Sequence, residues 1–293
     1  MTTHITRDLG RFVAGLTFDQ IPKDALEVIY TGFADCVGVM LAGREEPPTV
    51  ILKEVLAPQP GPATLLFGSQ TASAADAAWI NGVAAHALDF DDVALKGHPS
   101  TVLVPAILAE AQALGSSGQD MVVAYAAGYE VWAELARRDP DHYHTKGWHP
   151  TGILGAIGSA AACASLNKLN AEQCAMAISM GASQSAGTMA NFGTMTKPFH
   201  AGRSAQAGVM AARLVKAGFT SATDALEHPQ GFLSAVSPNG RFDVTSPVQA
   251  GNPWKLSISK LSVKKYPLCF CTHRALDGML DLVAEHALTR SEE

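Results

Sequence analysis

Apolar side chains recur at three- and four-residue steps through most of the chain, the spacing that lines one face of an α-helix. Ile5, Leu9, Phe12, Val13 and Leu16 form the first such stripe. Pro22 opens the second, which runs to about residue 41 through Leu26, Ile29, Phe33, Val37 and Met40. The same periodicity predicts helices over residues 73–86, 99–114, 118–136, 151–166, 171–180, 202–217 and 274–287. Strand-like stretches are confined to 63–67 and 255–263. Strands and helices do not alternate, so a mainly α fold is predicted rather than a parallel sheet.

Several helices are built from small residues. Gly152, Gly155 and Gly158 fall every three residues in one of them. A phosphate-binding glycine loop would need a strand just before a G-x-G-x-x-G turn, and the sequence offers neither. Glycine inside a helix costs about 1 kcal/mol, so close helix–helix approach is the better reading. After Phe219 the helices are interrupted by Pro229, Gly231, Pro238, Gly240, Pro247 and Pro253, and residues 220–262 are read as irregular. The predicted division is a large all-helical domain over 1–262 and the start of a second unit over 263–293. That second stretch is too short for a core of its own.

Composition narrows the function classes. Hydrophobic residues make up 47% and charged residues 16% of the 293, the balance of a folded chain with a large core. A net charge of −6 argues against nucleic-acid and anionic-membrane binding, which need a basic surface. The five cysteines are odd in number and irregular in spacing, which suits free thiols in a reducing compartment. Cys269, Cys271 and His273 would lack a fourth zinc ligand. The first seven residues hold no apolar signal core, and no stretch is read as reaching the ~20 apolar residues that span a bilayer. A cytoplasmic protein is expected.

Polar groups stand out in so apolar a chain, and they gather in four short loops. The first runs His86-Ala-Leu-Asp89-Phe-Asp91-Asp92 and on to Lys96, His98, Pro99 and Ser100. Carboxylates beside histidines and a lysine make an acid–base set, or a set of metal ligands. The second contains Lys146, Trp148, His149 and Pro150, just before the glycine-rich helix. The third holds Thr196, Lys197, Pro198, His200 and Arg203. A lysine at a helix N-terminus sets positive charge against the positive end of the dipole, which is unfavourable unless an anion is bound. The fourth carries Lys264, Lys265, Tyr266, Pro267, Cys269, Cys271 and His273. If these loops converge they make a cationic, histidine-lined pocket suited to a substrate with several carboxylates.

At these residues the sequence resembles the MmgE/PrpD family, which includes 2-methylcitrate dehydratase, cis-aconitate decarboxylase and iminodisuccinate epimerase. The resemblance rests on the His86–Asp92 run, His98-Pro99-Ser100, Trp148-His149-Pro150-Thr151, Thr196-Lys197-Pro198-Phe-His200-Ala-Gly202 and Lys265-Tyr266-Pro267, in order along nearly the whole chain. It implies a large all-helical domain, a smaller α/β lid of which residues 263–293 are only the start, and a homodimer. It also implies chemistry without metal or cofactor on a small di- or tricarboxylate. Members of the family continue well beyond this point, so the chain resembles a shortened member. Carried over residue by residue, Asp89, His98, His149, Lys197 and His273 fall at active-site positions. Val93 stands where some members place a hydroxyl, which weighs against the decarboxylase branch.

The reaction expected is a lyase step, of dehydratase or decarboxylase type, begun by proton abstraction next to a carboxylate; a hydro-lyase is the first choice. Lys197 would hold charge developing on the carboxylate oxygens. His98 or His149 would carry the proton, since histidine titrates near pH 6.5, and Asp89 would orient its partner histidine. His200, Lys265, Tyr266 and His273 would bind substrate, His273 through a remote carboxylate. Three alternatives stay open: an epimerase built from the same parts, a metal-dependent hydrolase using His86, Asp89, Asp91, Asp92 and His98, and a shortened homologue without catalysis.

Overall fold

In the computed structural model, residues 4–289 are described. Their α-helices are α1 (Ile5–Gly15), α2 (Lys23–Ala42), α3 (Pro47–Leu56), α4 (Ala74–His86), α5 (Ser100–Leu114), α6 (Gly118–Arg138), α7 (Pro150–Leu166), α8 (Ala171–Ser183), α9 (Thr196–Lys216), α10 (Phe232–Val236), α11 (Lys255–Ser259) and α12 (His273–His286). Strands β1 (Ala63–Thr64) and β2 (Thr71–Ala72) pair antiparallel, with Ala63 opposite Ala72. The fold is therefore mainly α with a minimal β part, as the hydrophobic pattern predicts.

Helix α7 is the centre of the core. Every residue from Pro150 to Leu166 is buried, and α5, α6, α8 and α9 pack around it. A helix covered on all sides needs no polar stripe, which is why this one reads as apolar throughout. The small residues do what the sequence predicts. A Cβ on Gly158 would stand 3.1 Å from the Gly128 carbonyl oxygen of α6. Where α4 crosses α9, a Cβ on Gly82 would stand 2.7 Å from the Gly202 Cα, and one on Gly202 would overlap the Trp79 carbonyl oxygen. That crossing sets the His86 end of α4 beside the first turns of α9.

Helix starts are well capped where the sequence has the residues for it. Ser117 with Asp120 at α6, and Asn170 with Gln173 at α8, form reciprocal capping boxes. Pro150 opens α7 at a position where a missing N–H costs nothing. The same rule explains α3, which is not among the predicted helices: Pro47 and Pro48 both sit in its first turn.

Three other expectations need correction. The 255–263 stretch is not a strand. Glu130, buried on α6, accepts the N–H groups of Gly251 (3.0 Å) and Leu256 (2.9 Å), and this fixes a single turn of helix, α11. A lone antiparallel bridge, Val93 to Ser262, follows it. Helix α9 begins at Thr196 rather than near residue 202, so Lys197 and His200 are helical. Residues Lys23–Glu45 form a helical stretch long and apolar enough, by length and composition, to cross a membrane. Its Ala25, Ile29, Cys36, Val39 and Met40 are buried, on a helix packed against α4 and α5.

The irregular segment after α9 is organised by charges on α6. Glu134 accepts the Gln249 N–H at 3.2 Å, and Arg138 donates to the carbonyls of Asp243 (2.9 Å) and Ser246 (3.2 Å). At the far end, α12 is buried only at His273 and leaves Met279, Leu280, Leu282 and Val283 exposed.

Candidate active site

The first polar loop leaves α4 at His86 and makes a sharp reversal. Asp89 takes a left-handed conformation (φ 47°), which an aspartate tolerates better than most side chains. Asp91 follows and is fully buried. Its Oδ1 lies 2.8 Å from His86 Nδ1, and its Oδ2 lies 3.1 Å from His98 Nδ1. The Asp92 carbonyl oxygen is 2.9 Å from the same His98 nitrogen. Carboxylate and carbonyl oxygens can only accept, so both Nδ1 atoms carry the proton. His98 therefore turns Nε2 outward, 3.8 Å from Asp89 Oδ1. Its backbone N–H donates to Thr151 Oγ1 at 3.2 Å, tying the loop to the start of α7.

Asp89 is clamped by two amines. Lys197, from the first turn of α9, approaches Oδ2 at 2.8 Å, and Lys264 approaches Oδ1 at 2.6 Å. The mismatch of a lysine at a helix N-terminus is thus answered by a carboxylate of the protein itself. Burial favours the neutral acid, but Lys197, His86 and His98 outweigh it and hold Asp89 down at about 2. Burial likewise pushes Asp91 up, and the His86 and His98 rings together hold it well below the usual carboxylate range. His86 itself is pushed down to about 4 by burial, against the pull of Asp91, and is neutral at ordinary pH.

Asp92 behaves in the opposite way. Burial raises it to about 8, with a hydrogen bond to Ser100 opposing and the neighbouring Asp91 and Asp35 adding to the rise. It is a carboxylic acid kept protonated beside a charged site. Its folded pKa lies above the value of 3.8 for an unburied group, so the unfolded chain binds fewer protons. Stability falls as pH rises through that window, by at most about 1.4 kcal/mol per pH unit, and levels off above about 8. Asp92→Asn removes this dependence. Its melting temperature is expected to gain steadily on the parent between about pH 5 and 8, and parallel curves would refute the protonated state.

His149 precedes α7, and its Nδ1 lies 3.1 Å from the Nδ1 of His200 on α9. Its ring stacks on His86 with centroids 6.0 Å apart and meets the edge of Phe192 at 4.8 Å. Burial pushes it far below the usual imidazole range, and His86, His98, Lys197 and His200 add to that. His149 is therefore a neutral ring that can donate or accept a hydrogen bond, and it is no source of positive charge.

His98, His149, Lys197 and Asp89 line one cavity of about 600 Å³, within the range of small-molecule sites. Phe192, Phe270, Val93 and Thr151 complete much of its wall. Four residues expected at the substrate sit elsewhere. His200 lies behind His149. Lys265 and Tyr266 both bind Asp277, at 2.8 and 2.7 Å. His273 packs on Tyr266 and Phe270, its Nε2 3.3 Å from the Leu268 carbonyl. From this loop it is Lys264, not its neighbour, that reaches the charged cluster. The orienting carboxylate on His98 Nδ1 is Asp91 rather than Asp89.

The metal alternative meets a chemical objection. His86, Asp89, Asp91 and His98 do offer ligand atoms within 4.8 Å of one another. Yet both Asp89 oxygens face ammonium groups and both Asp91 oxygens face histidine nitrogens, so a divalent ion would have to displace two lysines. Cys269 and Cys271 are exposed at the cavity wall, while His273 is turned to a carbonyl and does not join them in a ligand set.

Fold and site together define a member of a known class: residues 7–245 match the MmgE/PrpD N-terminal domain, and the chain belongs to the MmgE/PrpD family. Among its relatives, cis-aconitate decarboxylase of Homo sapiens is 35% identical over 224 residues, covering 72% of this chain and 46% of its own length. Cis-aconitate decarboxylase of Mus musculus is 31% identical over 219 residues, 73% of this chain and 44% of its own length. A cis-aconitate decarboxylase-like protein of Aspergillus oryzae is 26% identical over 272 residues, covering 86% and 56%. The chain spans about half the length of these relatives. They tie it to lyase-type homologues.

Proposed function

We propose that the protein is a cofactor-free lyase that removes CO₂ from a small unsaturated tricarboxylate. The supporting observation is that His98 Nε2 and Lys197 Nζ face one cavity while Asp91 fixes the other nitrogen of His98. Breaking the bond to a carboxylate leaves an electron pair on the carbon skeleton. A neighbouring double bond spreads it toward a retained carboxylate, where Lys197 stabilises the charge in a site partly closed to water. The protonated form of His98, its Nδ1–H held by the Asp92 carbonyl beside the Asp91 carboxylate, returns a proton to carbon through Nε2. His149, neutral at working pH, hydrogen-bonds the substrate. The relatives are named decarboxylases, so carboxy-lyase chemistry displaces hydro-lyase chemistry as the first reading. The homodimer implied by the family belongs to the same proposal.

The test is to incubate the purified protein in D₂O with cis-aconitate and, separately, with 2-methylcitrate, and to follow products by NMR and CO₂ release. Loss of CO₂ with one deuterium incorporated on carbon is expected from cis-aconitate. Water loss from 2-methylcitrate without CO₂ would replace decarboxylation by dehydration, and no turnover of either would remove the catalytic reading.

A further inference from the structure

The cavity has a second polar wall that the lyase chemistry above does not use. It comes from the 3₁₀ turn Tyr143–Lys146 and the residue before it. Tyr143 is buried and its hydroxyl donates to the Leu135 carbonyl at 3.2 Å. Lys96 lies over the Tyr143 ring at 5.4 Å and spends its amine on the carbonyls of Asp139 (2.7 Å) and Asp141 (3.0 Å). The turn is therefore fastened from beneath, while His142 and His144 on either side of Tyr143 line the cavity.

These two rings differ from the site's other histidines. His86, His98, His149, His200 and His273 each have a ring nitrogen within hydrogen-bonding distance of a protein atom. Among the described residues, no such partner is found for either ring of His142 and His144. The His144 ring meets Phe192 at 6.2 Å, and Phe192 also lies under Lys197 at 5.5 Å and against His149. Phe192 thus stands between the reaction cluster and the half-buried His144, while His142 is exposed beside the same cavity.

We propose that His142 and His144 form a distal anion subsite that takes the carboxylate farthest from Lys197, and so select tricarboxylates over dicarboxylates. The proposal rests on the reading of the cavity as a polycarboxylate site. An arriving carboxylate gives each ring a charge-assisted partner. Loss of two such contacts weakens binding by about tenfold or more.

The test uses isothermal titration of the purified chain, the His142→Asn/His144→Asn variant and Lys197→Met with citrate and with succinate. The expected result is that the double variant binds citrate at least tenfold more weakly but succinate as before, whereas Lys197→Met weakens both. Unchanged citrate affinity in the double variant, with Lys197→Met weakened, overturns the subsite and leaves the cavity reading standing. No binding of either ligand by the parent, or no effect of Lys197→Met, overturns both. Equal weakening of citrate and succinate in the double variant also overturns the subsite, because it makes the rings general supports of the cavity.

Discussion

Replacing Lys197 with methionine is expected to lower turnover of the tricarboxylate about 100- to 1,000-fold, the usual cost of losing one preorganised charge-stabilising donor. Methionine keeps an unbranched apolar stem over Phe192, and Asp89 keeps Lys264 as its second cation, so the fold should survive. The measurement is kcat/KM beside the thermal midpoint. A variant that melts like the parent and turns over within about threefold of it would take Lys197 out of the chemistry. Lys197→Arg is an informative companion. It restores the charge, but a planar guanidinium cannot occupy the point position of an ammonium against Asp89 Oδ2, so only partial recovery is expected.

A large effect on stability from a single methyl group is expected at the α4–α9 crossing. Alanine normally improves on glycine inside a helix by about 1 kcal/mol. At Gly202 the sign should reverse, because the new Cβ would overlap the Trp79 carbonyl oxygen and stand 2.8 Å from the Val83 nitrogen, both backbone atoms that cannot step aside. Gly202→Ala should cost about 3 kcal/mol, the upper end for overpacking a core. It should also lower activity, since the same crossing aligns Lys197 with the His86–His98 loop. Gly38, in the middle of α2, meets nothing within 4 Å and is the matched control: Gly38→Ala should raise the midpoint. Chemical denaturation of both variants checks the pair, and equal shifts in the same direction would refute the packing account.

The helices were legible because most are long and strongly periodic, and because their caps and prolines obey local rules. The reaction cluster was legible for a different reason. His98, His149 and Lys197 are polar residues next to apolar, small-residue helices, where a charge has no structural excuse. What stayed hidden is tertiary. Lys264 and Lys265 are adjacent and chemically identical, and only the Val93–Ser262 bridge decides which one turns inward. Asp89 and Asp91 are likewise two residues apart, and the left-handed turn at Asp89 sends one to the lysines and the other beneath the histidines. His142 and His144 fall outside the four polar loops. Their position on the cavity depends on the buried Tyr143 between them, a contact with no periodic signature.

The clamp on Asp89 joins three distant parts of the chain, for Lys264 lies 175 residues further along than the carboxylate it holds. Closing so long a loop has an entropic cost that nearby packing must meet first. The reactive centre is accordingly among the last features a newly made chain can finish. Until that late strap settles, Asp89 has Lys197 as its one ammonium partner, so the charged cluster is completed only once residues 175 apart have met.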